Sequence, residues 1–88
     1  MERVNVIAHG RVQGVFFRDA TARAARSRGV AGWVRNRDDG TVQAVFEGEH
    51  EDVAAMVEAV RRGPGRAEVA RVDVETEEPE GLDGFEIV

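Results

Sequence analysis

Val4, Val6 and Ala8 alternate with Asn5 and His9, a period-2 pattern interrupted by Ile7 that predicts a strand over residues 3–10. Arg11 to Phe17 holds two glycines and no helical period and is read as a loop. From about Arg18 to Arg28 the chain is rich in alanine and arginine, strong helix formers, and Gly29 stops the run. Val30 to Arg35 reads as a second strand, and Asn36-Arg37-Asp38-Asp39-Gly40 as the turn of a hairpin. Thr41 to Glu47 alternates through Val42, Ala44 and Phe46 and predicts a third strand. Val53, Met56, Val57 and Val60 fall at i, i+3, i+4 and i+7, one face of an amphipathic helix ended by Gly63-Pro64-Gly65. Ala70, Val72 and Val74 alternate with charged residues in a fourth strand, and Phe85 and Ile87 mark a short last one.

The predicted order is therefore βαββαβ plus a short C-terminal strand, in a single domain over residues 1–88. Strands apolar on one side and two amphipathic helices imply an α+β fold, an antiparallel sheet with both helices on one face. The ferredoxin-like split βαβ sandwich is the natural solution. It sets the first and second strands parallel with the third between them, so the loop after the first and the turn after the second meet at one sheet edge. Two strand spacings, about 10 Å, then separate them, room for a phosphate and a water.

Composition narrows the chemistry. With no cysteine there are no disulfides, no thiolate catalysis and no Cys-based zinc or iron–sulfur site. All twelve basic residues are arginine, so neither a Walker-type phosphate loop nor a Schiff-base mechanism, each of which needs a lysine, is available. A net charge of −5 argues against nonspecific nucleic-acid binding. No apolar run reaches membrane-spanning length, and Met1-Glu2-Arg3-Val4 lacks the opening of a signal peptide. The expectation is a cytoplasmic protein with no nucleic-acid or membrane partner.

Gly10 to Arg18 joins the first strand to the first helix. A glycine-containing loop feeding a helix N-terminus presents unpaired N–H groups and the positive end of a helix dipole, and so favours an anion. Arg18 adds a planar fork matched to two phosphate oxygens. Asn36 ends the second strand at the same edge. Taken singly, each has a plain alternative: Arg18 as a surface arginine after an ordinary β–α loop, Asn36 as a residue that merely suits the hairpin entrance.

Together they resemble a family. Gly10-Arg-Val-Gln-Gly-Val-Phe-Phe-Arg18 is similar to the first signature of the acylphosphatases, and Gly32-Trp-Val-Arg-Asn36, followed by Asp39-Gly40-Thr41-Val42, to the second. The spacing agrees without gaps, and the resemblance runs through Gly63-Pro64 to Phe85-Glu-Ile. Two departures stand out: Arg28, where the family usually has leucine and where packing behind the first helix is expected to loosen, and Val88, where an aromatic or basic residue is common. The resemblance implies metal-independent hydrolysis of acyl phosphates to carboxylate and inorganic phosphate, without a cofactor. It assigns the phosphate to Arg18 and the backbone of Gln13, Gly14, Val15, Phe16, Phe17 and Arg18, and the attacking water to Asn36. Phe16 and Phe17 are expected to hold the loop by packing, and inorganic phosphate to be both product and competitive inhibitor. A monomer is the expectation for this size.

His9 and His50 share no ligand spacing and read as structural or exposed; Glu75, Glu77, Glu78 and Glu80 read as a solvated edge without a calcium-loop pattern. Trp33 is expected to cap packing beside the site on the face opposite Val34. Two other functions fit the element order. An RNA-recognition domain needs aromatics on the sheet face within a basic motif, and the third strand, Thr41 to Phe46, carries one aromatic. The acylphosphatase-like domain of a hydrogenase-maturation carbamoyltransferase would be followed by zinc-finger and catalytic regions, so a free-standing enzyme is the expectation.

Overall fold

A computed structural model describes all 88 residues, with the elements β1 (Glu2–Arg11), α1 (Phe17–Arg28), β2 (Ala31–Asn36), β3 (Val42–Gly48), α2 (His50–Arg62), β4 (Glu68–Glu77) and β5 (Phe85–Ile87). The predicted order is present in full. The strands form one sheet in the order β4-β1-β3-β2-β5, with β3 between β1 and β2. No helix is long and apolar enough to cross a membrane.

Alternation in β1 and β3 turns Val4, Val6, Ala8, Val42, Ala44 and Phe46 toward the helices, where they join one cluster with Phe17, Ala22 and Ala25 of α1 and Val53, Met56 and Val60 of α2. Both helices thus cover the same sheet face. The small side chains of α1 let it lie close to the sheet, and Gly29 ends it in the left-handed conformation, its N–H donating back to Ala25 and Arg26 carbonyls. Arg28 lies outside this core, paired with Asp52 of α2 at 3.3 Å, so packing behind α1 is not loosened there. On the open face Trp33 is half-buried beside its register partner Val45, with the Arg35 guanidinium 5.6 Å from its ring.

Two features depart from the sequence reading. The first is in β4, where the register against β1 passes from His9↔Arg71 to Gly10↔Val69 and leaves Ala70 as a bulge. Val69 and Val72 consequently pack on the core while Ala70 is exposed; Val74, on the edge strand, stays 38% exposed. Gly10 makes the bulge possible, because a side chain there would overlap the backbone of Glu68 and stand 2.8 Å from the Ala70 nitrogen.

The second is the sheet itself, which is mixed: β1 to β4 pair antiparallel, but β5 runs parallel to β2. β4 finishes at the sheet end where β2 begins, since Arg3 is registered against both Glu77 and Glu47, and Glu47 against Ala31. Residues 78–84 cross that end and can only enter β5 in the direction of β2. Glu47, 1% exposed, ties this strap down. Its carboxylate accepts from the backbone N–H groups of Glu80, Gly81 and Leu82 and from Arg3, whose guanidinium also donates to Glu77. The acidic run is therefore not wholly a solvated edge, since Glu77 and Glu80 both face Arg3. Beyond the strap, Phe85 stacks on Phe46 at 5.9 Å over Gly32, whose hydrogen leaves room for the Val45 carbonyl.

Candidate active site

The far end of the sheet carries the candidate chemistry. Ala8 and Asn36 are both registered against Val42, so they lie in one row two strand spacings, about 10 Å, apart. The loop after β1 and the turn after β2 meet there, as the topology predicts.

The loop is pinned at both ends and open in the middle. Val12 and Phe17 are buried in the core cluster, while Gly14 and Phe16 between them are exposed. Phe16 is the N-cap of α1 and adopts φ 60, ψ 27, the left-handed region that bulky residues avoid, at a cost on the order of 1–3 kcal/mol. Phe16 is 81% exposed. The expectation that Phe16 holds the loop by packing is therefore corrected: Phe17 does so, and Phe16 faces solvent.

The strained turn leaves its backbone donors unpaired. Outside the helices and strands the first backbone hydrogen bond donated along this stretch is from Ala20 to the Phe16 carbonyl; no backbone N–H of Gln13 through Asp19 donates one. The first turn of a helix has no internal partners for its N–H groups, so this run leaves free donors at a positive dipole end. Arg18, in that first turn, is exposed and is absent from the ion pairs that engage Arg3, Arg28, Arg37, Arg61 and Arg71.

Across from the loop, the β2–β3 turn is held by Asp39, which accepts from the Thr41 N–H at 3.0 Å and the Thr41 hydroxyl at 2.6 Å. These bonds, the hydroxyl's first, hold the Asp39 carboxyl below its ordinary value, with Arg37 adding to the effect. The Gln13 side chain bridges the two segments by donating to the carbonyls of Arg37 and Thr41 at 2.8 and 2.9 Å. Asn36 follows from this scaffold. Its Oδ1 is the one buried side-chain nitrogen or oxygen without a hydrogen-bond partner, an omission that costs about 1–3 kcal/mol unless something else supplies the donor.

A cavity of about 250 Å³ lies between them, lined by Val12, Gly14, Phe16, Phe17, Arg18, Asp19 and Asn36. The structure thus brings Gly14, Phe16, Phe17 and Arg18 to the same cavity as Asn36. Gln13 and Val15 stand apart from it: Gln13 turns its amide to the hairpin, and Val15 packs half-buried against the core and lines a neighbouring groove. The sequence reading missed Asp39 and Thr41 as the brace of the turn, although Asp two before Thr is a recognisable side-chain-to-backbone turn pattern. It also missed Asp19 in the lining, where an acid in the first turn of a helix is ordinarily accounted for by the dipole.

Comparison with known proteins spans nearly the whole chain. A family model described as Acylphosphatase matches residues 4–87. The acylphosphatase of Haloarcula marismortui is 56% identical over 85 residues, 97% of this chain and 93% of that protein. The acylphosphatase of Thermococcus kodakarensis is 54% identical over 86 residues, covering 98% of this chain and 94% of that protein. The crystal structure of the acylphosphatase from Bacillus subtilis superposes with a TM-score of 0.96 at 40% identity, covering 100% of this chain and 99% of that one.

Proposed function

The chain belongs to the acylphosphatase family, and from that premise we propose that it hydrolyses acyl phosphates by direct in-line attack of a water oriented by Asn36. In this reading the phosphate sits against the free N–H groups between Gln13 and Arg18 while the Arg18 guanidinium grips two of its oxygens. The observation that carries it is the buried, unpartnered Oδ1 of Asn36 at the wall of the cavity that Arg18 lines. In this reading the amide turns that oxygen to a water in the cavity, which supplies the missing donor, and the bond aims the water's lone pair at phosphorus.

The chemistry asks little more. Phosphoryl transfer runs through a loose transition state, so positioning and charge stabilisation contribute most of the rate. The water oxygen bonds to phosphorus as the bond to the acyl oxygen breaks, the electron pair leaves on the carboxylate, and the water's hydrogens depart with the phosphate. A carboxylate leaves without protonation, so a neutral amide that orients the water suffices and no general acid is required. The guanidinium and the amide dipoles meet the phosphate charge, which asks for no metal bridge and no phosphoenzyme. The same donors recognise free phosphate, making it a competitive inhibitor as well as a product.

The test is a continuous assay with benzoyl phosphate, with and without a strong chelator, against a phosphate monoester. Equal hydrolysis in both conditions and poor turnover of the monoester are expected. Activity lost on chelation and restored by magnesium would overturn the mechanism.

A further inference from the structure

A second cavity adjoins the first. It occupies about 610 Å³ between the β1–α1 loop and the α2–β4 turn, with Arg11, Val15, Phe16, Pro64, Gly65 and Arg66 on its walls, and it shares Gly14 and Phe16 with the site cavity. Asn36 does not line it. The site cavity, at about 250 Å³, is smaller than the roughly 300–1,000 Å³ of ordinary small-molecule pockets, whereas the groove lies within that range.

Reaction geometry links the two. In-line displacement puts the attacking and departing oxygens on opposite sides of phosphorus. With the water at Asn36, the acyl group leaves on the side away from Asn36, and the adjoining groove, which shares Gly14 and Phe16 with the site cavity and is not lined by Asn36, offers it room. Val15 and Pro64 give its lining an apolar part, and Phe16, 81% exposed, lines it as well. Arg11 and Arg66 flank it; both are exposed, and neither is among the arginines held in ion pairs. Arg11 stands opposite Glu68 in the β1–β4 register but makes no ion pair with it, and the groove's lining holds two arginines and no acid in a chain of net charge −5.

We infer that this groove seats the acyl half of the substrate and that Arg11 and Arg66 are specificity-determining residues favouring acyl phosphates whose acyl part carries a second anionic group. The inference rests on the proposed role of Asn36, because that role fixes the direction in which the acyl group departs. The ring of Phe16 offers a face to the body of the acyl group, and the two guanidiniums meet the anion at its far end.

The experiment compares 4-carboxybenzoyl phosphate with benzoyl phosphate, rigid substrates that differ by one remote carboxylate, at low and high salt. The wild-type protein should favour the carboxylated substrate by about three- to tenfold in kcat/KM at low salt, the scale of two exposed ion pairs, and less so at high salt. Arg66→Gln should remove part of that preference and Arg11→Gln with Arg66→Gln all of it, while benzoyl phosphate turnover stays within about twofold. Arg23→Gln, an exposed α1 arginine outside the groove, should leave the preference intact. No preference in the wild type, a preference that survives the double variant, or one erased equally by Arg23→Gln would overturn the inference. Failure to hydrolyse benzoyl phosphate at all would instead overturn the proposed function, so the two failures are distinct.

Discussion

Glu47→Gln separates what holds the fold from what does the chemistry. Oε2 of Glu47 accepts from Arg3 at 2.7 Å and from the Glu80 N–H at 2.9 Å, and Oε1 accepts from the Gly81 and Leu82 N–H groups at 3.1 and 3.0 Å. Glutamine keeps the shape but replaces one oxygen by an NH2 group. Whichever way the amide turns, two donors lose their acceptor. A buried donor left unpaired costs about 1–3 kcal/mol, and the exposure of Glu80 and Gly81 lets water offset part of it, so the loss should be about 2–4 kcal/mol. At about 4–8 °C per kcal/mol for a domain of this size, the Tm should fall by about 8–32 °C.

The effect should also depend on pH with a definite sign. Burial pushes the Glu47 carboxyl up, but the Glu80 N–H, the Arg3 guanidinium and the Leu82 N–H together outweigh it and hold it below its ordinary 4.5. A depressed folded-state value contributes stability above the unfolded value and loses it as pH falls through the folded one. The gap between wild type and variant should therefore be widest near neutrality and narrow below about pH 4.5. Thermal unfolding across that range measures it. Turnover of benzoyl phosphate per folded molecule should be unchanged, because Glu47 lies at the sheet end opposite Asn36. A Tm loss under about 4 °C at pH 7, or a gap that widens in acid, would refute the reasoning.

Arg18→Lys keeps the charge and loses the two-pronged fork, so competitive inhibition by inorganic phosphate should weaken by about tenfold or more and turnover should fall with it. A Lys variant with an unchanged inhibition constant would remove the fork from the account. Gly32→Ala should destabilise by about 3 kcal/mol or more in urea unfolding, since φ is +141° and the new methyl would overlap the Val45 carbonyl and stand 3.3 Å from the Phe85 ring. A near-neutral change there would mean that β2 and β3 are not so closely apposed.

Elements whose apolar period is set by one buried face were legible in the sequence. Val4, Val6 and Ala8 in β1 and Val53, Met56 and Val60 in α2 show their 2- and 3.6-residue periods because each packs one side on the core and the other on water. The bulge at Ala70 was not legible, because a register shift depends on the partner strand's Gly10, sixty residues earlier in the chain. Nor was the parallel β5, since three residues say nothing of direction, which is set by where the strap lands. At the candidate site, the topology correctly predicted that the elements carrying Arg18 and Asn36 meet, and both side chains line one cavity. The outward Phe16 was not: an aromatic beside a buried Phe17 reads as core, and only its left-handed backbone turns it to solvent.

The central claim is the division of labour between Asn36 and the phosphate cradle, and Asn36→Ala tests it most directly. Turnover, phosphate inhibition and thermal unfolding should be measured on the same preparation. If Asn36 orients the water, kcat should fall by on the order of a hundredfold or more, the scale of a misplaced nucleophile, while the phosphate inhibition constant stays within about threefold and the protein remains folded. A folded Asn36→Ala protein with near-normal turnover would contradict the account.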